Sequence, residues 1–131
     1  MFFLDTNVLL YLFSGDPKKA DLVEELLSTR AIINVQVLNE FTSVALRKLG
    51  LTVAEVRDAL EPVTLICKVL PLTTKIHQRG LQVAERYQFS FYDALIVAAA
   101  LEARCTRLYT EDLQHGQIID DTLTVVNPFR A

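Results

Sequence analysis

The chain is poor in the residues that define several classes of protein. Its 131 residues include two cysteines, four glycines, four prolines, one methionine and no tryptophan. Cys67 and Cys105 form no Cys-x-x-Cys pair and have no companion histidine spacing, which excludes a disulfide scaffold or a zinc module. They read as small buried thiols in a reducing compartment. Sparse glycine and proline exclude collagen-like and low-complexity chains. Long apolar runs are missing too. The longest covers residues 94–101, between Asp93 and Glu102, where a membrane helix needs about 20 residues. Asp5 interrupts the apolar start after Phe2-Phe3-Leu4, against a signal peptide. The expectation is a soluble, cytoplasmic protein with no membrane partner. Nor is there an excess of positive charge: 13 basic against 16 acidic side chains give a net charge of −3. Bulk charge therefore does not drive binding to phosphate backbones, although local patches still can.

What the chain does have is ordinary globular chemistry, with 51% hydrophobic and 22% charged residues. This length fits one domain, residues 1–131, burying about two-thirds of its unfolded surface. Residues 1–4 read as a short buried strand. Residues 6–13 start a helix that Gly15-Asp16-Pro17 breaks, and Asp16 caps the next helix with Pro17 in its first turn. Leu22, Val23, Leu26 and Leu27 form that helix's apolar stripe. Residues 31–33 read as a strand. Residues 36–49 form a helix with Val37, Phe41 and Val44 inward and Gly50 as its stop. Thr52-x-x-Glu55 is a capping box, and Pro62 is expected to end the helix it starts. Residues 63–70 read as β-structure closed by Pro71. Thr73 or Thr74 caps a helix with Ile76, Val83, Ala84 and Tyr87 inward. Residues 94–100 are apolar all round, so their helix belongs at the centre. Residues 105–109 and 123–126 finish the chain as strands. Strands alternating with helices predict an α/β fold, a three-layer α/β/α sandwich around a short, mainly parallel sheet.

In such folds, sites form beyond the carboxyl ends of the strands. Four acids fall there. Asp5 follows the first strand in Leu4-Asp5-Thr6-Asn7. Glu40 lies two helical turns after the second, at the edge of the inward stripe. Asp93 heads the all-apolar helix in Phe91-Tyr92-Asp93-Ala94. Asp112 follows the fourth strand in Tyr109-Thr110-Glu111-Asp112. Each has a bland reading: Asp5 as a helix cap, Asp93 as an acid favoured by the helix dipole, Glu40 as a solvated helix acid, Asp112 as a turn residue. Together they point to one pocket. Carboxylates beside apolar surface repel one another unless a cation neutralises them. Oxygen donors without Cys or His suit Mg²⁺, with Mn²⁺ as a substitute, over zinc. Such an ion clamps phosphate oxygens and activates water, so the natural chemistry is phosphodiester hydrolysis. Without these four, 12 acids face 13 bases, and Arg47, Lys48, Lys75, Arg79 and Arg86 are candidates to meet a polyanion.

These four segments, with Leu38-Asn39-Glu40-Phe41 as the second, resemble the four acidic motifs of PIN-domain nucleases. A chain of this size is most similar to the VapC-type toxins of toxin–antitoxin pairs. The resemblance spans Asp5 to Asp112. It implies the α/β/α fold and Mg²⁺- or Mn²⁺-dependent endoribonuclease activity on tRNA or another structured RNA. Asp5, Glu40, Asp93 and Asp112 would be the catalytic and metal-binding acids, with Thr6, Asn7 and Thr110 as supporting polar groups. It also implies a homodimer and a cognate antitoxin that blocks the active-site groove. Glu111 or Asp120 can replace or supplement Asp112. His115 is within reach of a phosphate, although a solvated loop position is its plainer reading, and His77 reads as a surface or half-buried side chain. Phe91 and Tyr92 can stack on a base, against core packing as the alternative.

Two other functions remain open from the residues. One is an aspartyl-nucleophile phosphatase built on Asp5, although Asn7 stands where such enzymes carry a second Asp. The other is a non-catalytic module with this fold that binds RNA or protein without cutting.

Overall fold

Strand β1 (Phe2–Leu4) is three hydrophobic residues with no polar alternation, and all three are buried. Its place in the sheet explains that pattern. It pairs in parallel with β2 (Ile32–Asn34) on one side and β4 (Arg107–Tyr109) on the other. A parallel strand covered on both faces has no surface on which to place a polar side chain. The six-stranded sheet runs β3-β2-β1-β4-β6-β5, with β3 (Lys68–Leu70), β5 (Ile118–Ile119) and β6 (Leu123–Val126). Among the described residues only the β5–β6 pair is antiparallel. The structure is a computed structural model describing residues 1–130.

Parallel neighbours need crossovers, and helices supply most of them: α1 (Thr6–Leu9) with a 3-10 turn over Leu10–Phe13, α2 (Pro17–Leu27), α3 (Val35–Arg47), α4 (Val53–Ile66), α5 (Thr74–Tyr87) and α6 (Phe91–Glu102). The result is the expected three-layer α/β/α sandwich. No helix among the described residues is long and apolar enough to cross a membrane.

The caps follow the sequence. Asp16 accepts from the Lys18 and Lys19 amides, Thr52 and Glu55 close a capping box, and Thr73 accepts from the Ile76 amide. Helix α6 is buried along almost its whole length, as its lack of a polar face requires. Gly80 of α5 lets the two helices meet closely, because a Cβ there would lie 2.7 Å from Leu95 Cδ2. Both cysteines are buried.

Three expectations need correction. The segment after Asp5 is not one helix but a single α-turn tightened into a 3-10 turn. Pro62 does not end its helix: α4 runs through it to Ile66, so residues 63–66 are helical and β3 begins only at Lys68. The capping box and the buried Val56 and Val63, two turns apart, hold α4 together across the one amide that proline lacks. Strand β5 was not expected, since two residues carry no readable period.

The basic residues of α5 are also committed internally. Lys75 and Arg79 pair with Glu102 of α6, and Arg79 and Arg86 pair with Asp120. Tyr87 Oη accepts from the Asp120 amide and donates to its Oδ1, both at 2.9 Å. Asp120 and Asp121 adopt φ of 49° and 60° in the turn between β5 and β6, a conformation aspartate tolerates. This network pins the hairpin to α5, with Lys75 and Arg86 still largely exposed.

Pro62 gives a direct check of the helix assignment. Pro62→Ala restores one amide on an exposed helical position, so unfolding free energy should rise by about 1–3 kcal/mol. Chemical denaturation measures it; a loss of stability would contradict a continuous α4.

Candidate active site

Register places the first acid. Leu4 lies beside Tyr109 in the β1–β4 pair, and the Asp5 amide donates to Tyr109 O at 3.0 Å. Asp5 and Thr110 therefore leave neighbouring strand ends side by side. Thr110 Oγ1 donates to Asp5 Oδ2 at 2.9 Å, and Asn7 Nδ2 approaches the same oxygen at 3.4 Å. Asp5 Oδ1 accepts from the Thr6 amide at 2.7 Å. The helix-cap reading of Asp5 is thus correct as far as it goes, and it fixes the carboxylate's direction.

Thr110 carries the knot further. Its Oγ1 also accepts from Asn7 Nδ2 and from the Asp112 amide, each at 3.1 Å. Asn7 Oδ1 accepts from the Glu111 amide at 3.2 Å. The turn after β4 is in this way folded onto α1, which brings Asp112 toward Asp5. Asp93 is the third residue of α6, and its amide donates to Ser90 Oγ at 3.4 Å. One carboxylate oxygen from each of Asp5, Asp93 and Asp112 lies within 4.8 Å of the other two.

Glu40 stands beside this trio and is not one of its three converging carboxylates. Its Oε1 accepts from Thr6 Oγ1 and from Gln36 Nε2, both at 3.3 Å. Gln36 also donates to the Tyr92 carbonyl at 3.2 Å. The sequence reading passed over Gln36. The available signal was its position one helical turn before Glu40, on the same face. Gln36 is buried, and its Oε1 has no partner among the described residues.

Other candidates lie elsewhere. Asp120 is held by Arg79, Arg86 and Tyr87. His115 Nδ1 accepts from the Asn127 amide at 3.0 Å and serves as a loop pin. His77 is exposed and packs edge-on against Phe91. Glu111 faces Tyr11, whose hydroxyl pKa is raised by a hydrogen bond to that carboxylate. Phe91 is half-buried, but Tyr92 is 67% exposed, so core packing does not account for it.

The electrostatics of the trio are those of a cation site without compensating protein charge. All four ion pairs among the described residues involve Glu102 or Asp120. Asp5 is 6% exposed. Burial pushes its pKa up to about 7 from 3.8, against the lowering effect of its Thr110 and Thr6 hydrogen bonds, and the charges of Asp112 and Glu40 add to the rise. Desolvation raises Asp93 as well, with Asp112 contributing. A hard divalent cation suits this donor set: clustered carboxylate oxygens, no sulfur or imidazole, and a partly exposed side that leaves room for retained water.

An α/β sandwich with clustered acids beyond the carboxyl ends of β1 and β4 is the class that these observations define. Residues 2–119 match the family model described as the PIN domain, and the chain belongs to that family. No curated protein sequence matches it. Among solved structures it is similar to a toxin–antitoxin complex from Klebsiella pneumoniae, with TM-score 0.75, 20% identity and full coverage of both chains. It is similar to FitAcB from Neisseria gonorrhoeae, with TM-score 0.73, 19% identity and again full coverage of both. A third is VapC20 of Mycobacterium tuberculosis, described as a sarcin-ricin loop cleaving toxin. There the TM-score is 0.69 at 17% identity, over 86% of this chain and 90% of that one.

A raised carboxylate pKa means that ionisation opposes folding. Asp5's contribution to stability is intact below pH about 4 and is lost progressively as pH rises to about 7. In EDTA, Asp5→Asn should therefore melt several degrees above wild type at pH 8, and the gap should close toward pH 4. A wild type that is the more stable at pH 8 would show that Asp5 is charged and compensated without a cation.

Proposed function

We propose that this chain is a metal-dependent endoribonuclease that hydrolyses RNA phosphodiester bonds. The observation that carries the proposal is the convergence of Asp5, Asp93 and Asp112 with no basic side chain paired to them. Asp5, Asp93 and Asp112 would hold Mg²⁺, or Mn²⁺ in its place, with Glu40 beside them. When bound, the ion polarises a phosphate oxygen and lowers the pKa of water, which supplies the nucleophile at neutral pH.

The chain's own residues do the positioning. Thr110 and the Thr6 amide fix both oxygens of Asp5, so its carboxylate cannot rotate away. Gln36 and Thr6 hold Glu40 beside the three acids. Asn7 and Thr110 hold the turn that carries Asp112. Water attacks in line and the 3′ oxygen leaves, giving a 5′-phosphate and a 3′-hydroxyl. Asn7 stands where an aspartyl-nucleophile phosphatase carries its second Asp, which disfavours Asp5 as a phosphatase nucleophile.

The biological reading is the toxin of a toxin–antitoxin pair: one nuclease domain working as a homodimer in the cytoplasm, acting on tRNA or another structured RNA, and restrained by a cognate antitoxin. It is supported by PIN family membership and by the likeness to toxin–antitoxin structures.

The test is cleavage of total tRNA by purified wild type, Asp5→Asn and Asp93→Asn in Mn²⁺, Mg²⁺ or EDTA, with end-group analysis. Wild type should cut only with metal and leave 5′-phosphates, and each variant should lose about 10²-fold or more of the rate. RNA retained but never cut, at any metal concentration, would instead identify a non-catalytic binding module.

A further inference from the structure

A pocket of about 320 Å³ opens beside the acids and has no role in the hydrolysis described above. Its walls include Leu10, Tyr11, Phe13 and Val44, with Asn7 and Glu111 where it meets the site and exposed Lys48 and Leu49 at its edge. Asn7 is the residue that bonds Asp5 and Thr110, and its Oδ1 receives the Glu111 amide. The pocket thus shares Asn7 with the acid site and adjoins it through Glu111, the residue before Asp112.

Helix α3 fixes its direction. Gln36, Glu40 and Val44, with Lys48 at the helix's C-cap, follow one another at four-residue steps, each rising about 6 Å and turning about 40°, so the row winds along α3 from the acids toward the pocket. Gln36 reaches the Tyr92 backbone, Glu40 stands at the acids, and Val44 and Lys48 line the pocket. A strand laid along this row with a phosphate at the acids places a neighbouring nucleoside over the pocket.

The chemistry suits a base. Tyr11 is already engaged, by Phe129 with ring centroids 4.5 Å apart and by Lys19 over its face, so it forms a fixed wall and leaves Phe13 as the ring to meet a base. Phe13 is 40% exposed although it is a large aromatic. Among the described residues Lys48 has no carboxylate at ion-pair distance. Aromatic surface, apolar walls and one free cation are what unstacked bases of single-stranded nucleic acid require; a base stacked in a duplex cannot enter.

We infer that this pocket receives an unstacked base of a single-stranded RNA segment, adjacent to the scissile phosphate, with Lys48 meeting its backbone. The inference rests on the nuclease reading above. A protein partner's apolar side chain is the competing occupant.

The test uses the full chain and a synthetic single-stranded oligoribonucleotide that it cuts, with the base deleted in turn at each nucleotide flanking the cut. Phe13→Ala removes an aromatic wall and Leu49→Trp fills the space; neither touches the acids, and melting curves with Mn²⁺ titration verify both variants. In wild type, loss of one flanking base should lower kcat/KM about tenfold, the scale of one base–aromatic stack. In both variants the intact strand should already be slow, and deleting that base should change little. Undiminished base dependence in the variants would overturn the inference and leave the pocket to a protein. Efficient cutting by wild type with no base dependence would overturn it as well, with the nuclease reading intact. If wild type cuts no RNA, that reading fails, and binding of the intact strand against a fully abasic strand decides the pocket. About tenfold weaker abasic binding by wild type alone supports the inference; equal affinities overturn it.

Discussion

The hydrogen bond from Thr110 to buried Asp5 is the constraint on which the rest of the site depends. It joins the ends of β1 and β4, the two central strands, so sheet register sets the position of the first acid. The same threonine oxygen receives Asn7 and the Asp112 amide. One side chain therefore sets the spacing of two carboxylates from different strands. The third comes from the first turn of α6, a helix whose burial on nearly all sides leaves only its two ends, at Asp93 and at Glu102, to carry charge.

The cost of this arrangement is electrostatic. A carboxyl group with 6% exposure, next to other acids and without a basic partner, is poorly suited to carrying charge. A proton or a cation relieves it. Two other acids are compensated by charge: Glu102 and Asp120 take up the bases of α5. The acids along α5 are paired with bases, whereas Asp5, Asp93 and Asp112 converge without one.

Much of this could be read from the residues because the signals were local. Caps at Asp16, Thr52 and Thr73, the uninterrupted apolar α6 and the acids after strands each need only a few neighbouring positions. The errors came where tertiary context decided. Pro62 obeys no local rule when a capping box and buried Val56 and Val63 hold its helix, and β5 exists only because β6 lies beside it. In the site, Gln36 and the pairing of Thr110 with Asp5 depend on residues far apart in sequence. Asp120 and Glu111 had the same charge and similar spacing, and only packing separates them: one holds a hairpin, the other lines the pocket.

Calorimetric titration of Mn²⁺ near pH 7, in buffers of different ionisation heat, addresses the central claim that these carboxylates form a cation site. Binding should release protons, because burial pushes the Asp5 pKa up to about 7. Affinity should fall as the pH is lowered, and Asp5→Asn should release none. No binding, or binding without proton release that Asp5→Asn leaves unchanged, would contradict the account.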